Sequence, residues 1–133
     1  MTNLLIEDRL ISEATRHSLK PDSGEHVFRF CTFEGLSDLE LQLGASISSS
    51  FLHCTFSDCD WNDPLFNEAL FYETRFERCT FRGASFRGCC FVGCAFEDCR
   101  FELNALGGPC TFDDSVRWYG CTQRRSPGLE GLF

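Results

Sequence analysis

Large apolar residues recur at every fifth position through the middle of the chain. An α-helix would spread such a repeat around its circumference, and a strand would send successive members to opposite faces. A chain that makes a quarter turn every five residues would instead point all of them at one axis. The pattern therefore predicts a square coil with an aromatic interior. The twelve consecutive positions are Phe51, Phe56, Trp61, Phe66, Phe71, Phe76, Phe81, Phe86, Phe91, Phe96, Phe101 and Leu106.

A small or compact residue lies two positions before almost every large one. We call the large residue the centre of a pentad and the small one its companion. We expect both to face the axis, whereas the other three positions of each pentad face water. The companions are Ser49, Cys54, Cys59, Pro64, Ala69, Thr74, Cys79, Ala84, Cys89, Cys94, Cys99 and Asn104.

In this pattern the sequence resembles the pentapeptide-repeat family over residues 49–106. The closest matches to the family pattern are CTFRG at 79–83, ASFRG at 84–88 and CAFED at 94–98. The resemblance implies an all-β fold, a right-handed quadrilateral β-helix of about four coils with four pentapeptides in each coil. Residues twenty apart should then stack on one another.

Twenty residues per coil predict four columns of centres. They are Trp61, Phe81 and Phe101; Phe56, Phe76 and Phe96; Phe51, Phe71 and Phe91; and Phe66, Phe86 and Leu106. Parallel ladders at about 4.8 Å suit offset stacking of the rings. Cys59, Cys79 and Cys99 should also stack, close enough for a disulfide on oxidation. We expect free thiols there.

Outside this region the pattern predicts end caps, because an open coil is an unpaired sheet edge. We divide the chain into an N-terminal cap (1–26), the β-helix (27–112) and a C-terminal cap and tail (113–133). Phe28 and Phe33 fit a short run of pentads with Cys31 as companion, and GLSD at 35–38 looks like a register break. We expect an amphipathic helix over the first twenty residues, with its apolar side formed by Leu4, Leu5, Leu10, Ile11 and Ala14. Leu41, with Leu39 as its companion, is expected in the Trp61 column. At the far end we expect Trp118 and Tyr119 to cover the last coil and residues 123–133 to form a loose tail.

Composition bears on which partners and which cellular location are expected for this protein. The net charge of -8 disfavours direct binding to nucleic acid. No apolar run is long enough to span a membrane, and the acidic N-terminal stretch does not look like a signal peptide. We therefore expect a cytoplasmic protein whose ten cysteines stay reduced. A zinc site is not expected, because Cys54 and Cys59, like Cys94 and Cys99, would lie on successive sides of the coil.

The sequence predicts neither catalysis nor a bound cofactor or metal. His17, His26 and His53 are far apart and belong to no catalytic motif. Cys90 is the one cysteine of the regular region expected to point outward, and no histidine is near it in the predicted columns. We expect a binding protein and not an enzyme.

The outward positions predict a partner-binding surface. The side around Phe51, Phe71 and Phe91 is apolar, and a flat apolar patch marks a docking site. An N-terminal cap or a homodimer could cover the same side instead. Residues 30–74 contain eight acids and no Lys or Arg, whereas residues 75–100 carry five arginines. The candidate partner-binding residues are Leu52, His53, Leu70, Tyr72, Glu73 and Val92, with an acidic rim of Asp58, Asp60, Asp63 and Glu68.

Two uses come with the family resemblance. Small, acidic, stand-alone members are similar to bacterial immunity proteins, which neutralise a cognate secreted toxin effector such as a nuclease; occlusion of a basic cleft by this surface is the function we favour. Quinolone-resistance members resemble duplex DNA in shape and bind DNA gyrase. They are longer rods, however, and the regular core here spans only about 15 Å. A structural scaffold module without a tight partner is the third alternative.

Overall fold

The computed structural model describes residues 5–12, 26–37 and 49–133, and the regular structure of these residues is entirely strand. Nearly all the strands are three residues long and centred on a core side chain. The strands are β1 (Leu5–Glu7), β2 (Leu10–Ile11), β3 (Val27–Arg29), β4 (Thr32–Glu34), β5 (Ser50–Leu52), β6 (Thr55–Ser57), β7 (Asp60–Asn62), β8 (Leu70–Tyr72), β9 (Arg75–Glu77), β10 (Thr80–Arg82), β11 (Cys90–Val92), β12 (Ala95–Glu97), β13 (Arg100–Glu102), β14 (Arg117–Tyr119) and β15 (Thr122–Arg124).

The strands form the sides of a parallel β-solenoid of about four coils. Side 1 is the six-stranded sheet β1-β3-β5-β8-β11-β14, and side 2 is the six-stranded sheet β2-β4-β6-β9-β12-β15. Side 3 is the three-stranded sheet β7-β10-β13. Side 4 is held by parallel bridges from Leu65 to Ser85 and from Ser85 to Thr111. The predicted all-β solenoid is therefore confirmed.

The predicted columns of centres are present on sides 1, 2 and 3. On side 1 the ring centroids of Phe51 and Phe71 are 5.1 Å apart with planes 8° from parallel. On side 3 the rings of Phe81 and Phe101 are 5.2 Å apart, also at 8°. Rings of neighbouring sides meet edge to face, as for Phe51 and Phe56. The tube is thus filled by stacks of rings that contact one another at the corners, the two arrangements that aromatic pairs prefer.

The fourth column differs from the prediction at its last member. Leu106 is 97% exposed, and Phe112 stacks on Phe86 in its place at 4.9 Å. The chain leaves the coil after Phe101 in a turn where Asn104 N donates to Gly108 O, and it returns with Cys110 as companion. The inserted turn shifts the register, so assigning Leu106 as a centre and Asn104 as a companion is wrong.

The N-terminal stretch is sheet where the apolar pattern predicted helix. β1 pairs with β3 and β2 pairs with β4, which places Ile6 next to Phe28 and Ile11 next to Phe33. Ile6 and Ile11 are buried and five residues apart, so they continue the pentad spacing. The helix prediction is therefore wrong for Leu5, Leu10 and Ile11. Two further residues of the predicted helix, Leu4 and Ala14, lie outside the described residues. The same holds for Leu41 and Leu39, which were predicted in the Trp61 column.

The C-terminal stretch is more ordered than the predicted loose tail. Trp118 is the next centre on side 1, and its ring stacks on Phe91 at 4.5 Å. Ser126 and Leu129 are buried. The Phe133 ring lies 5.0 Å from that of Trp118. The last residues therefore pack on the end of the aromatic stack, so the expectation of a loose tail at 123–133 is wrong.

The companions are buried small side chains, as predicted, and the polar ones bond to the coil before them. The hydroxyl of Thr74 donates to Phe51 O at 3.0 Å, and the thiols of Cys79 and Cys99 donate to Phe56 O and Phe76 O, each at 3.3 Å. All ten cysteines are free thiols. Cysteine behaves here as a small apolar residue with a weak donor, which suits a narrow interior.

Each corner of the coil requires a left-handed backbone two residues after the centre. Glycine occupies this position at Gly83 (φ 60°) and Gly93 (φ 64°), but most corners use other residues. This conformation is sterically unfavourable for residues that carry a Cβ. Gly35, Gly88 and Gly120 also adopt it, and the residues other than glycine that adopt it are Asp8, Phe30, His53, Asp58, Asp63, Glu68, Glu73, Arg78, Asp98 and Arg125.

Candidate functional site

Side 1 presents an apolar row of outward side chains on the strand positions that follow each centre. Sheet register places Leu52 beside Tyr72, Tyr72 beside Val92, and Val92 beside Tyr119. We call these four residues the Tyr72 row. Tyr72 is 39% exposed and Tyr119 is 52% exposed. Leu52, Tyr72 and Val92 lie on short parallel strands that are hydrogen-bonded on both sides, and Tyr119 lies on β14, the last strand of the sheet, so the row forms a preorganised surface.

A cluster of rings lies at the corner where side 1 turns into side 2. The rings of Phe30 and His53 stack with centroids 5.0 Å apart at 11°. The rings of His53 and Tyr72 pack edge to face, with their centroids 5.4 Å apart and their planes at 86°. His53 Nδ1 lies 3.1 Å from Glu73 Oε2. We call Phe30, His53 and Tyr72 the aromatic corner; Glu73 is its adjacent carboxylate.

The structure brings six of the ten sequence-predicted residues together on side 1 and its corner with side 2. They are Leu52, His53, Leu70, Tyr72, Glu73 and Val92. Leu70 lies on the opposite flank of the core column from Tyr72, next to Ser50 and Cys90.

The four carboxylates predicted as a rim are spread around the tube. Glu68 is at the corner between sides 4 and 1, so it borders the apolar face. Asp58 lies at the corner between sides 2 and 3, Asp60 on side 3, and Asp63 at the corner between sides 3 and 4. Because each pentad occupies the next side of the coil, acids that are neighbours in sequence face different directions. A single flat partner on side 1 cannot contact all four.

Pairing with the following coil compensates much of this acidic charge. Arg78 Nε lies 2.8 Å from Asp58 Oδ1, and Arg82 pairs with Asp60. Asn104 Nδ2 donates to Asp63 Oδ1 at 2.7 Å. The hydrogen bond from Arg78 also lowers the pKa of Asp58 below its ordinary value. Asp58 and Asp60 thus each face an arginine about one coil further on, whereas Asp63 accepts a hydrogen bond from an amide two coils further on.

Sequence reasoning missed three residues of the face, Val27, Phe30 and Tyr119. Val27 pairs with Ser50 on side 1, and Tyr119 extends the Tyr72 row. Tyr119 could not be placed without knowing the length of the insertion after Phe101. Phe30 carried a usable signal, because it stands two residues after the centre Phe28, where the pattern otherwise has small or polar residues.

Side 1 offers little for chemistry. The rung neighbours of the half-buried Cys90 are Leu70 and Arg117, neither of which can accept its proton at neutral pH. His26 is buried in the companion position before Phe28. Within residues 5–12, 26–37 and 49–133 there is no group of three His, Cys, Asp or Glu side chains placed to hold a metal ion. Nor do these residues form a helix with the length and apolarity to cross a bilayer.

Comparison with known proteins identifies the repeats. Residues 65–102 match the family model for pentapeptide repeats in eight copies. A comparison with curated protein sequences gave no significant match.

The comparison with solved structures gave matches at low sequence identity. A pentapeptide repeat protein (Rfr23) from the cyanobacterium Cyanothece 51142 is 8% identical, with a TM-score of 0.49 over 93% of this chain and 86% of that one. A trypsin-treated variant of QnrB1, a plasmid-mediated fluoroquinolone resistance protein, is 15% identical, with a TM-score of 0.27 over 94% and 70%.

The family model and the coil geometry agree on the repeat unit. The eight matched copies cover the pentads that form parts of all four sides, with centres and companions inward. Over residues 65–102 the chain is therefore similar to the pentapeptide-repeat family, and the same five-residue coil geometry continues on both sides of this stretch.

Proposed function

We propose that this protein is a non-catalytic binding protein, an immunity protein that neutralises a cognate bacterial toxin effector by docking on it through side 1. The observation that carries the proposal is the Tyr72 row, an apolar strip of exposed tyrosines and half-buried Leu52 and Val92 on a rigid sheet, with the aromatic corner beside it. Exposed apolar surface that is contiguous and bordered by polar groups is typical of protein docking sites. Aromatic residues are enriched at the centres of such sites.

Rigidity of the face favours tight association. The side chains of the Tyr72 row project from strands whose core residues, such as Phe51 and Phe71, are completely buried. A surface that is already ordered loses little conformational entropy on binding. A toxin could therefore be held by occlusion of its active site, without any reaction on the part of this protein.

Charge defines the kind of partner. The net charge of -8 attracts a basic protein over long range and speeds its encounter with side 1. Glu68 and Glu73 stand at the two corners that border side 1 and would contact the partner directly. Asp58, Asp60 and Asp63 face other directions, so we assign them to long-range attraction. A toxin effector with a Lys- and Arg-lined cleft, such as a nuclease, has the matching chemistry.

The free thiols suit a cytoplasmic location, where an immunity protein would meet its toxin. Ten unpaired cysteines, seven of them buried, are stable in a reducing compartment. We propose that location for this protein.

The test begins with capture and ends with neutralisation. Tagged wild-type protein is compared with a double variant, Tyr72→Glu with Val92→Glu, in pull-downs from the producing cell. The matched control, Asn62→Glu with Thr80→Glu, places two new carboxylates on side 3 and changes the net charge by the same amount. A partner captured by the wild-type and control proteins, but not by the side 1 variant, is then co-expressed with each.

We expect the cells to grow, and the effector to lose its activity, only when it is co-expressed with the wild-type or control protein. Equal neutralisation by all three proteins would exclude side 1. Capture of gyrase, with inhibition of its supercoiling by the purified protein, would replace the immunity role by the gyrase alternative.

A further inference from the structure

We propose that the aromatic corner, with Glu73 beside it, is a receptor for an arginine side chain of the docked protein. This inference rests on the proposed function and names the contact at which the partner is recognised. It is supported by three features of the corner: the backbone at Phe30, the arrangement of Arg29, and the half-exposed carboxylate of Glu73, whose contact with His53 involves one of its two oxygens.

Phe30 is placed where the fold disfavours it. All of the fifteen phenylalanines except Phe30 and Phe133 lie in the four core columns. Phe30 instead occupies a corner, with φ 55° and 53% of its surface exposed. A left-handed backbone is uncommon for a bulky residue, and such strain collects at functional sites. Neither burial nor corner geometry explains a phenylalanine here, whereas recognition of a ligand would.

The corner already holds one guanidinium of its own chain. Arg29 Cζ lies 5.9 Å from the centroid of the Phe30 ring, while Arg29 Nε donates to Glu7 Oε2 at 2.9 Å. A ring and a carboxylate thus hold an arginine between them at the first rung of the corner. This arrangement shows which ligand the combination suits, because a planar cation can pack on an aromatic face and bond a carboxylate at once.

The next rungs repeat the ring and the carboxylate without an arginine. Tyr72 and His53 supply the rings, and Glu73, whose side chain is 52% exposed, supplies the carboxylate. In the described part of the chain, no Arg or Lys pairs with Glu73 or packs on Tyr72. The following corner residue is Gly93, so no side chain covers Glu73 from that coil. An arginine from a partner would find the same pair of groups that Arg29 finds on its own chain.

Arginine is a better fit to this site than lysine. The guanidinium is flat, weakly hydrated and able to donate two parallel hydrogen bonds to one carboxylate. The ammonium of lysine is a compact, strongly hydrated charge, and it gains less from ring contacts. A basic cleft that presents arginine should therefore bind more tightly than one that presents lysine at the same position.

The test uses a defined probe and the full chain. Isotope-labelled protein is titrated with the capped dipeptide Arg-Arg amide and followed by NMR. The control titration uses the citrulline dipeptide, which has nearly the same shape and no charge. We expect the Arg-Arg peptide to shift the ring signals of Phe30, His53 and Tyr72 and the carboxylate signal of Glu73, with no comparable effect from citrulline.

Variants then separate the corner from general charge attraction. Tyr72→Ala and Glu73→Gln should each weaken peptide binding by about two- to fivefold, the range of an exposed cation–π or ion-pair contact. Glu34→Gln removes the same charge from an exposed position of side 2, outside the proposed binding surface, and should leave the affinity unchanged. These side chains are exposed, and matching circular dichroism spectra would show that the variants fold.

Two outcomes would overturn the proposal. One is an equal loss of affinity in Glu34→Gln and Glu73→Gln; the other is equal binding of the citrulline peptide. The immunity role fails separately. If the peptide binds the corner but the protein does not neutralise a captured effector, the arginine site stands and the toxin partner is wrong. If neutralisation is unchanged in Tyr72→Ala and Glu73→Gln, the arginine site is not the recognition contact.

Discussion

Arg78 Nε lies 2.8 Å from Oδ1 of Asp58, the residue twenty positions earlier in the chain, and its Nη2 lies 3.1 Å from Oδ2. The two residues occupy the same corner on successive coils, so the sheet register makes them neighbours. Asp98 and Arg125 form an equivalent pair at the next rungs, with Nη2 3.0 Å from Oδ2. Ion pairs of this kind link one coil to the next along the outside of the tube.

Removal of Arg78 should raise the pKa of its partner, Asp58. The hydrogen bond from Arg78 lowers the pKa of Asp58 in the folded state, so the pair stabilises the fold above the unfolded-state pKa and loses this effect as pH falls through the folded-state pKa. In Arg78→Gln, the Asp58 pKa should rise and its share of the acid-induced loss of stability should shrink. Carboxylate NMR titrations measure the pKa directly. As the control, Arg125→Gln should raise the pKa of Asp98 and leave that of Asp58 unchanged.

A mid-column ring should dominate stability. Phe76 is 1% exposed and lies between Phe56 at 5.2 Å and Phe96 at 4.8 Å. Phe76→Ala should lower the free energy of unfolding by about 3–5 kcal/mol, because it removes stacked contacts on both sides and leaves a cavity. Urea denaturation provides the measurement. Tyr72→Ala, an exposed aromatic on side 1, should cost about 1 kcal/mol or less; similar losses for the two variants would contradict the buried stack.

Alanine substitutions at two corner glycines should distinguish the cost of a left-handed backbone from the cost of a steric clash with neighbouring atoms. Gly83 and Gly120 have nearly the same φ, 60° and 63°. A Cβ on Gly83 would lie 2.7 Å from Asn104 Cβ and from Asp63 Oδ1, whereas a Cβ on Gly120 would meet no atom within 4 Å. Gly120→Ala should cost about 1–2 kcal/mol from the left-handed backbone alone. Gly83→Ala should cost more and should break the Asn104 to Asp63 hydrogen bond. Equal unfolding free energies for the two variants would mean that the inserted turn is not packed against this corner.

The thiols should differ sharply in reactivity. A hydrogen bond from the Cys94 side chain lowers the pKa of Cys121 to about 6, whereas burial raises that of Cys89 to about 12. Since the thiolate is the reactive form, iodoacetamide at neutral pH should modify Cys121 early and Cys89 only after unfolding. Mass spectrometry of digested samples gives the order. In Cys94→Ala the labelling of Cys121 should slow, and an unchanged rate would show that Cys94 does not stabilise the thiolate.

The sequence was sufficient for the regular coils because the core repeats without interruption there. The pairings of Phe51 with Phe71 and of Trp61 with Phe81 follow directly from the twenty-residue period. Prediction failed where residues are inserted into a coil. The turn after Phe101 sends Leu106 to the surface and delays the next centre to Phe112. A periodic pattern carries no information about the length of such an insertion.

The candidate site was predictable in its apolar part and not in its charged part. Leu52, Tyr72 and Val92 share one position of the pentad and one side, so the period alone aligned them. Asp58, Asp60 and Asp63 point in different directions around the tube and pair with residues of later coils. Predicting this would have required the register of sides 2, 3 and 4 as well. Phe30 required a different kind of inference, because its significance is a bulky ring on a left-handed backbone.

Inward and outward positions of each pentad have separate tasks in this fold. Centres and companions build the tube, while the three remaining positions contribute to its sides and corners. Substitutions outside can therefore accumulate row by row with little effect on folding. A lineage of such chains could change what it recognises over evolutionary time, in steps as small as one rung, while inheriting the same interior.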